Sequence, residues 1–198
     1  VEAALPPFYG SILYIEQPLE RSVALDPALE AGIRAAGARR PMLIDESDEA
    51  LDTFQRALEL GYQGVSSKAC KGLVKALANL ALAKRREGCF LSGEDLMNLP
   101  VVPLHQDLAH VAALGIGHVE RNGHHYVRGL GHLSEGERME CLVMHGELYA
   151  EREGLVALDV REGAIYVGSL QVAGLGVGMD VDVEAMRALE DWDFGSLA

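Results

Sequence analysis

Five ionisable residues follow the short apolar runs of the first 120 residues. The runs SILYI, PMLI, QGVSS, CFLSG and IGHV are followed in turn by Glu16, Asp45, Lys68, Glu94 and Glu120. Successive members of this set are separated by 23 to 29 residues, about the length of one strand and one helix. Carboxylates are the oxygen ligands that Mg²⁺ prefers, and an amine beside them can transfer a proton. The set therefore predicts metal-assisted proton transfer if the fold brings these side chains together.

The spacing of apolar residues between these positions is typical of a parallel sheet covered by helices. We predict strands at 11–15, 41–44, 63–67, 89–93 and 116–119, and helices at 26–37, 48–60, 71–86 and 103–114. Ser47 is the predicted N-cap of the second helix. Because the carboxyl ends of parallel strands meet at one edge of a sheet, the ionisable residues are expected to converge there, with Glu120 at the rim. The expected fold class is α/β.

The pattern changes after residue 133. A helix is predicted at 134–149, followed by a hairpin of residues 155–160 and 164–170 around a turn at Glu162-Gly163. The segment GLGVGMD, at 174–180, opens no helix after a strand, so it is interpreted as tight turns and not as a phosphate-binding loop. A short helix is predicted around 182–190.

Composition excludes several classes of protein. The chain has 198 residues, 49% of them hydrophobic, so a globular core is expected. It is too short for a complete (β/α)₈ barrel, which takes roughly 250 residues. The net charge of −13 excludes nucleic acid and anionic membranes as partners. Three scattered cysteines without a C-x-x-C pair predict no disulfide or zinc site, and with no signal peptide or membrane span they favour a cytoplasmic location.

The sequence segments around the ionisable residues resemble motifs of one enzyme family. YIEQPL at 14–19, LIDES at 43–47 and SSKACKG at 66–72 are similar to the metal-ligand and catalytic-lysine segments of the enolase superfamily, in its mandelate racemase and muconate lactonizing branch. The resemblance continues at 92–120 and at 173–182. It implies an incomplete (β/α)₇β barrel, roughly strands four to eight, over residues 1–150. Residues 151–198 would then form a C-terminal hairpin and tail that pack on the barrel or on a capping domain.

The resemblance also implies roles for individual residues. Glu16 and Asp45 would bind Mg²⁺, Lys68 would be the acid/base, and Glu94 would assist as an acid or substrate contact. Further substrate contacts are expected from Ser66, Glu46 and His124. In this family, Mg²⁺ neutralises an enediolate while a lysine removes the α-proton of a carboxylate substrate. The outcome is racemisation, epimerisation, dehydration or cycloisomerisation. A third metal ligand and a second base would lie upstream of Val1, and the full-length protein is expected to be a homo-oligomer.

Several alternatives remain open from the sequence. Lys68 could form a salt bridge with Asp45 or Glu94, and Lys71 is expected at the surface, at the start of a helix. The whole chain could belong to a non-catalytic barrel protein that binds a ligand or partner, or to a metal-dependent aldolase, which would not need Lys68.

Overall fold

The computed structural model describes residues 3–96, 99–121, 127–174, 176–191 and 193. The chain forms two compact units, Val1–Val127 and Arg128–Ala198, which are described separately. This boundary lies before the predicted helix at 134–149, whereas the sequence pattern divided the chain after residue 150. The predicted division into a barrel portion and a C-terminal portion stays a prediction.

The first unit contains a parallel sheet in which strands adjacent in the chain are adjacent in the sheet. Its five strands are β1 (Ile15–Glu16), β2 (Met42–Ile44), β3 (Gly64–Ser67), β4 (Phe90–Leu96) and β5 (Val119–Arg121). Every neighbouring pair is parallel. This is an α/β open half-barrel of the TIM type, which confirms the predicted fold class.

Helices connect these strands, as expected for parallel neighbours. They are α2 (Glu30–Gly37), α3 (Thr53–Leu60), α4 (Leu73–Lys84) and α5 (Val102–Ala113), whereas the short helix α1 (Pro6–Gly10) precedes β1. α2 follows a 3₁₀ turn, Pro27–Leu29, in which the side chain of Asp26 accepts a hydrogen bond from the backbone N–H of Ala28 at 2.8 Å.

The predicted N-cap of α3 was wrong. The helix begins at Thr53, with Asp52 at the N-cap position. Ser47 instead accepts a hydrogen bond from the side chain of Gln17 at 2.7 Å, because the loop after β2 lies against the end of β1. α3 ends at Gly61, whose φ of 109° is readily adopted only by glycine.

The core of the first unit lies between the sheet and its helices. Ile44 and Val65 from the strands pack with Ile33 and Phe54 from the helices, and all four are buried. Gly64 allows a close approach between two strands, since a Cβ there would lie 2.6 Å from the ring of Phe90 on β4. The short strands are therefore held by apolar packing on their helical side.

The second unit begins with α6 (Glu135–Met144), whose Ser134 and Glu137 form a reciprocal capping box. Two small antiparallel pairs follow, β6 (Tyr149–Arg152) with β7 (Leu155–Leu158) and β8 (Val160–Arg161) with β9 (Ala164–Ile165). The turn of the second pair at Glu162-Gly163 is confirmed, but its strands are shorter than the predicted 155–160 and 164–170, because Leu155–Leu158 pairs with β6 instead.

Two predictions for the second unit were wrong. The predicted helix at 134–149 ends at Met144, and residues 149–152 form a strand. Glu153 and Gly154 both have positive φ, which is the geometry of a tight hairpin turn, so the chain folds back there. The expected helix at 182–190 is replaced by a 3₁₀ turn, Leu189–Asp191.

The glycine-rich segment has the expected turn geometry. Glycines 174, 176 and 178 of the GLGVGMD segment all have positive φ, as tight turns require. Cys70, Cys89 and Cys141 are free thiols. No helix within the described ranges is long and apolar enough to cross a bilayer, and the longest, α4 and α5, have 12 residues each.

Replacement of Phe54 by Ala tests the packing of the half-barrel. We expect the free energy of unfolding to fall by about 3–5 kcal/mol, because the ring is fully buried and leaves a cavity. Urea denaturation followed by circular dichroism measures this change. Phe8→Ala is the matched control, since Phe8 is 61% exposed and should cost less than about 0.5 kcal/mol. Equal effects of the two variants would contradict this description of the core.

Candidate active site

Three carboxylates from three strands meet at one edge of the sheet. Glu16 ends β1, Asp45 directly follows β2 and Glu94 lies in β4, and one oxygen from each lies within 4.8 Å of the other two. Asp45 and Glu94 are buried and Glu16 is half-buried. The convergence predicted from the strand ends is therefore present, and it adds Glu94 to the two residues expected as metal ligands.

Lys68 joins this group from β3, the strand between β2 and β4. Its Nζ donates a hydrogen bond to Oδ2 of Asp45 at 2.7 Å and lies 3.7 Å from Oε2 of Glu94. The salt bridge that the sequence left open is thus formed, and the role of Lys68 as an acid/base stays a prediction.

The surface position expected for Lys71 was wrong. Its Nζ donates to Oδ1 of Asp45 at 2.8 Å and to the backbone carbonyl of Asp45 at 2.9 Å. The reason is a 3₁₀ turn, Ala69–Lys71, in which the N–H of Lys71 bonds to the carbonyl of Lys68 and turns the chain back over the strand ends. Gly72, with φ of 97°, ends this turn. Two lysines three residues apart therefore reach the same aspartate.

Gln17 was not identified from the sequence, although it follows the predicted ligand Glu16. Its Oε1 accepts the backbone N–H of Asp45 at 2.8 Å, and its Nε2 donates to Ser47 at 2.7 Å. These bonds tie the loop after β2 to the end of β1. Gln17 has φ of 34°, so the backbone turns sharply at this point. The two predicted ligands are thus linked through a polar side chain adjacent to one of them.

The carboxylates perturb one another. Burial raises the pKa of Glu94 to about 9, with further contributions from a hydrogen bond to Glu16 and from the negative charges of Asp45 and Glu16. Burial also raises the pKa of Glu16, and the charge of Asp45 adds to this effect. Burial opposes ionisation of Asp45 as well, yet hydrogen bonds from Lys68 and Lys71 hold its pKa well below the usual range. Without a cation, the site therefore carries a proton on Glu94 near neutral pH.

The predicted substrate contacts have different placements. Ser66 is buried in β3, and its Oγ has no hydrogen bond of standard geometry among the described residues, although it is close enough to lower the pKa of Asp45. Glu46 is exposed beside Asp45. His124 lies outside the described residues. The roles of all three as substrate contacts stay predictions.

Two further polar pairs support the strand ends and were not anticipated. Ser67 bonds to Nε2 of His110 on α5 at 3.1 Å, and burial lowers the pKa of this histidine. The hydroxyl of Tyr14 bonds to Ser92 at 2.7 Å. Burial raises the pKa of Tyr14, and the nearby carboxylates, including exposed Glu120 at the rim, raise it further. The hydroxyl of Tyr14 thus lies close to the carboxylate group.

The residues present fit a divalent cation. The three carboxylates offer the hard oxygen ligands that Mg²⁺ prefers. Oε1 of Glu94 is buried and has no hydrogen-bond partner among the described residues, so one oxygen is available for another ligand. The raised pKa values of Glu16 and Glu94 reflect desolvation and mutual repulsion, and a bound dication would relieve the repulsion.

Comparisons with known proteins give one structural match. No protein-family model and no curated protein matches the chain. The structure is similar to that of a mandelate racemase/muconate lactonizing protein from Herpetosiphon aurantiacus, with a TM-score of 0.47 and 20% sequence identity. The match covers 79% of this chain and 40% of that protein, so the chain spans about two fifths of its length. At this level of similarity, a function for the chain has to be derived from its own residues.

Binding of Mg²⁺ is expected to release a proton at pH 7. Glu94, with a pKa of about 9, is protonated in the metal-free site, and a carboxyl group binds a metal in its ionised form. The affinity should therefore rise with pH up to about 9. In the metal-free protein the free energy of unfolding should fall as the pH rises from 4.5 to about 9, because the folded state holds this proton more tightly than the unfolded state.

Calorimetric titration in buffers of different ionisation enthalpy measures the released proton. Glu94→Gln should reduce the proton release, whereas Glu59→Gln, which changes an exposed side chain at the end of α3, should leave it unchanged. Proton release of equal size in Glu94→Gln and in the unmodified protein would show that the proton comes from another group.

Proposed function

We propose that this chain carries part of the active site of a Mg²⁺-dependent enzyme of the enolase superfamily, of the mandelate racemase and muconate lactonizing type. The reaction proposed is abstraction of the α-proton of a small carboxylate substrate. One observation carries the proposal: three carboxylates converge to within 4.8 Å, and the ammonium of Lys68 lies 2.7 Å from one of them. The motifs around Glu16, Asp45 and Lys68 support the same assignment.

Proton abstraction next to a carboxylate needs two things from a protein. The negative charge that develops on the substrate must be offset, and a base must lie beside the carbon. Glu16, Asp45 and Glu94 would hold Mg²⁺, which supplies the positive charge that offsets the substrate's. Asp45 lies next to Lys68, the proposed base, so the group that would bind the cation is adjacent to the group that would transfer the proton.

Lys68 must lose its proton before it can act as a base. In the metal-free site its ammonium is stabilised by the ion pair with Asp45, and Glu94 lies 3.7 Å away. When the charge of those carboxylates is taken up by a cation, the ammonium loses this stabilisation and its proton is released more easily. Lys68 would then accept the α-proton of the substrate and hold it on Nζ.

The remaining assignments complete this proposal. Glu94 would assist as an acid or substrate contact in addition to its place in the carboxylate group. Ser66, Glu46 and His124 would contact the substrate, and the product would result from racemisation, epimerisation, dehydration or cycloisomerisation. We propose that the full-length protein is a cytoplasmic homo-oligomer. A barrel that binds its ligand without catalysis is the alternative that the following experiment separates.

Replacement of Lys68 by Met should slow exchange of the substrate α-proton by a factor of about 10² to 10⁴, the usual contribution of a positioned acid/base. Exchange is followed by ¹H NMR in D₂O, with Mg²⁺ and a panel of small carboxylates that carry an α-hydrogen. Lys84→Met, at the exposed end of α4, is the control. Unchanged exchange in Lys68→Met would exclude this base, and binding without exchange in the unmodified protein would favour the non-catalytic alternative.

A further inference from the structure

A row of alternating acidic and basic side chains extends from the carboxylate group. Its members, in order, are Glu94, Lys68, Asp45, Lys71, Asp48 and Lys75. Successive charged atoms are 3.7, 2.7, 2.8, 3.9 and 3.2 Å apart. None of these six side chains is more than 16% exposed. Burial of so many charged groups is costly, so the half of the row beyond Asp45 needs an explanation beyond stability.

Lys71 has the contacts of a fixed ammonium group. Its Nζ donates to Oδ1 of Asp45, to the backbone carbonyl of Asp45 at 2.9 Å and to the backbone carbonyl of Ser66 at 3.1 Å. A lysine ammonium has three N–H bonds, and three oxygens accept them. Two of the acceptors belong to the backbone at the ends of β2 and β3. Lys71 therefore holds the aspartate side chain and both strand ends in one arrangement.

Asp48 and Lys75 support Lys71 from the interior. The carboxylate of Asp48 is buried, lies 3.2 Å from Nζ of Lys75 and 3.9 Å from Nζ of Lys71, and makes no hydrogen bond of standard geometry among the described residues. Lys75 also donates to the backbone carbonyl of Asp48. The negative charge of Asp48 thus attracts the ammonium of Lys71 in addition to that of Asp45.

The two oxygens of Asp45 have different partners. Oδ1 accepts a hydrogen bond from Lys71, whereas Oδ2 accepts one from Lys68, on the side of Glu94. We propose that Lys71, supported by Asp48 and Lys75, is a positioning residue that fixes Oδ1 and thereby orients Oδ2 toward the cation. This inference rests on the proposed function, since it assumes that Asp45 binds Mg²⁺.

The proposal predicts opposite effects for two similar changes. By Coulomb's law alone, removal of either lysine charge should strengthen binding of a cation nearby. If Lys71 positions Asp45, its removal should weaken binding instead, because the carboxylate loses its orientation. Lys68 bonds to the oxygen that the cation needs, so its removal should leave binding unchanged or tighter.

Calorimetric titration with Mg²⁺ alone compares Lys71→Met, Lys68→Met and the exposed control Lys84→Met. We expect about a tenfold loss of affinity in Lys71→Met, the lower end of the effect of residues that orient metal ligands. Lys68→Met should bind as tightly as the unmodified protein or more tightly, and Lys84→Met should be unchanged. Affinity in Lys71→Met equal to or above that of the unmodified protein would overturn the proposal and leave Lys71 a structural ion pair.

Asp48→Asn gives the same test without removal of Lys71. It keeps the size of the side chain and removes the charge, so Mg²⁺ affinity should fall in the same direction as in Lys71→Met. Where Lys71→Met does not fold, Asp48→Asn decides, and unchanged affinity in this variant contradicts the supporting role of Asp48 and overturns the proposal.

A metal-free measurement separates this inference from the proposed function. If the unmodified protein binds no Mg²⁺, the proposed function fails. Crystal structures of the metal-free unmodified protein and of Lys71→Met then test the positioning role directly. A change in the side-chain conformation of Asp45 in Lys71→Met, absent from Lys84→Met, supports it, and an unchanged Asp45 overturns it.

Discussion

The convergence of negative charge at the ends of parallel strands is the constraint on which the arrangement of the first unit depends. Glu16, Asp45 and Glu94 would repel one another at 4.8 Å or less if all three were ionised, and burial strengthens that repulsion. The site meets this cost with two lysines at Asp45 and with a proton held by Glu94. The same excess of negative charge allows the three carboxylates to accept a dication. The dication would replace the proton on Glu94 and offset charge that one lysine offsets in the metal-free site.

Two kinds of contact in the first unit offset the cost of this buried charge: apolar packing of the strands and hydrogen bonds at the strand ends. Ile44, which directly precedes Asp45, and Val65, three residues before Lys68, are fully buried in the core. Polar side chains at the strand ends bond to neighbouring elements: Gln17 ties the loop after β2 to the end of β1, and Ser67 of β3 bonds to His110 of α5. Apolar packing thus stabilises the strands, and polar bonds fix the positions of the strand ends, so the carboxylates cannot move apart to relieve their repulsion.

The sequence was sufficient to predict the parallel sheet and the convergence of ionisable side chains at its edge. Apolar runs recur at intervals of about one strand and one helix, and each is followed by an ionisable residue. It could not give the contacts that depend on loop geometry. Ser47 has the composition of an N-cap but bonds to Gln17, and Lys71 has the spacing of a helix start but folds back through a 3₁₀ turn. Tyr149 opens a strand and not a helical turn because the tight turn at Glu153-Gly154 pairs it with Leu158.

Lys68 and Lys71 show why residue type alone does not assign chemistry. Both are lysines within SSKACKG, and both contact Asp45. Lys71 donates to two backbone carbonyls in addition to one carboxylate oxygen, and the partial charges of those carbonyls are fixed by the strands whatever the site binds. Lys68 lies beside Asp45 and Glu94, both of which are proposed ligands of the cation. A cation bound by the carboxylates would therefore weaken the electrostatic contact of Lys68, whereas the hydrogen bonds of Lys71 to the two backbone carbonyls would remain.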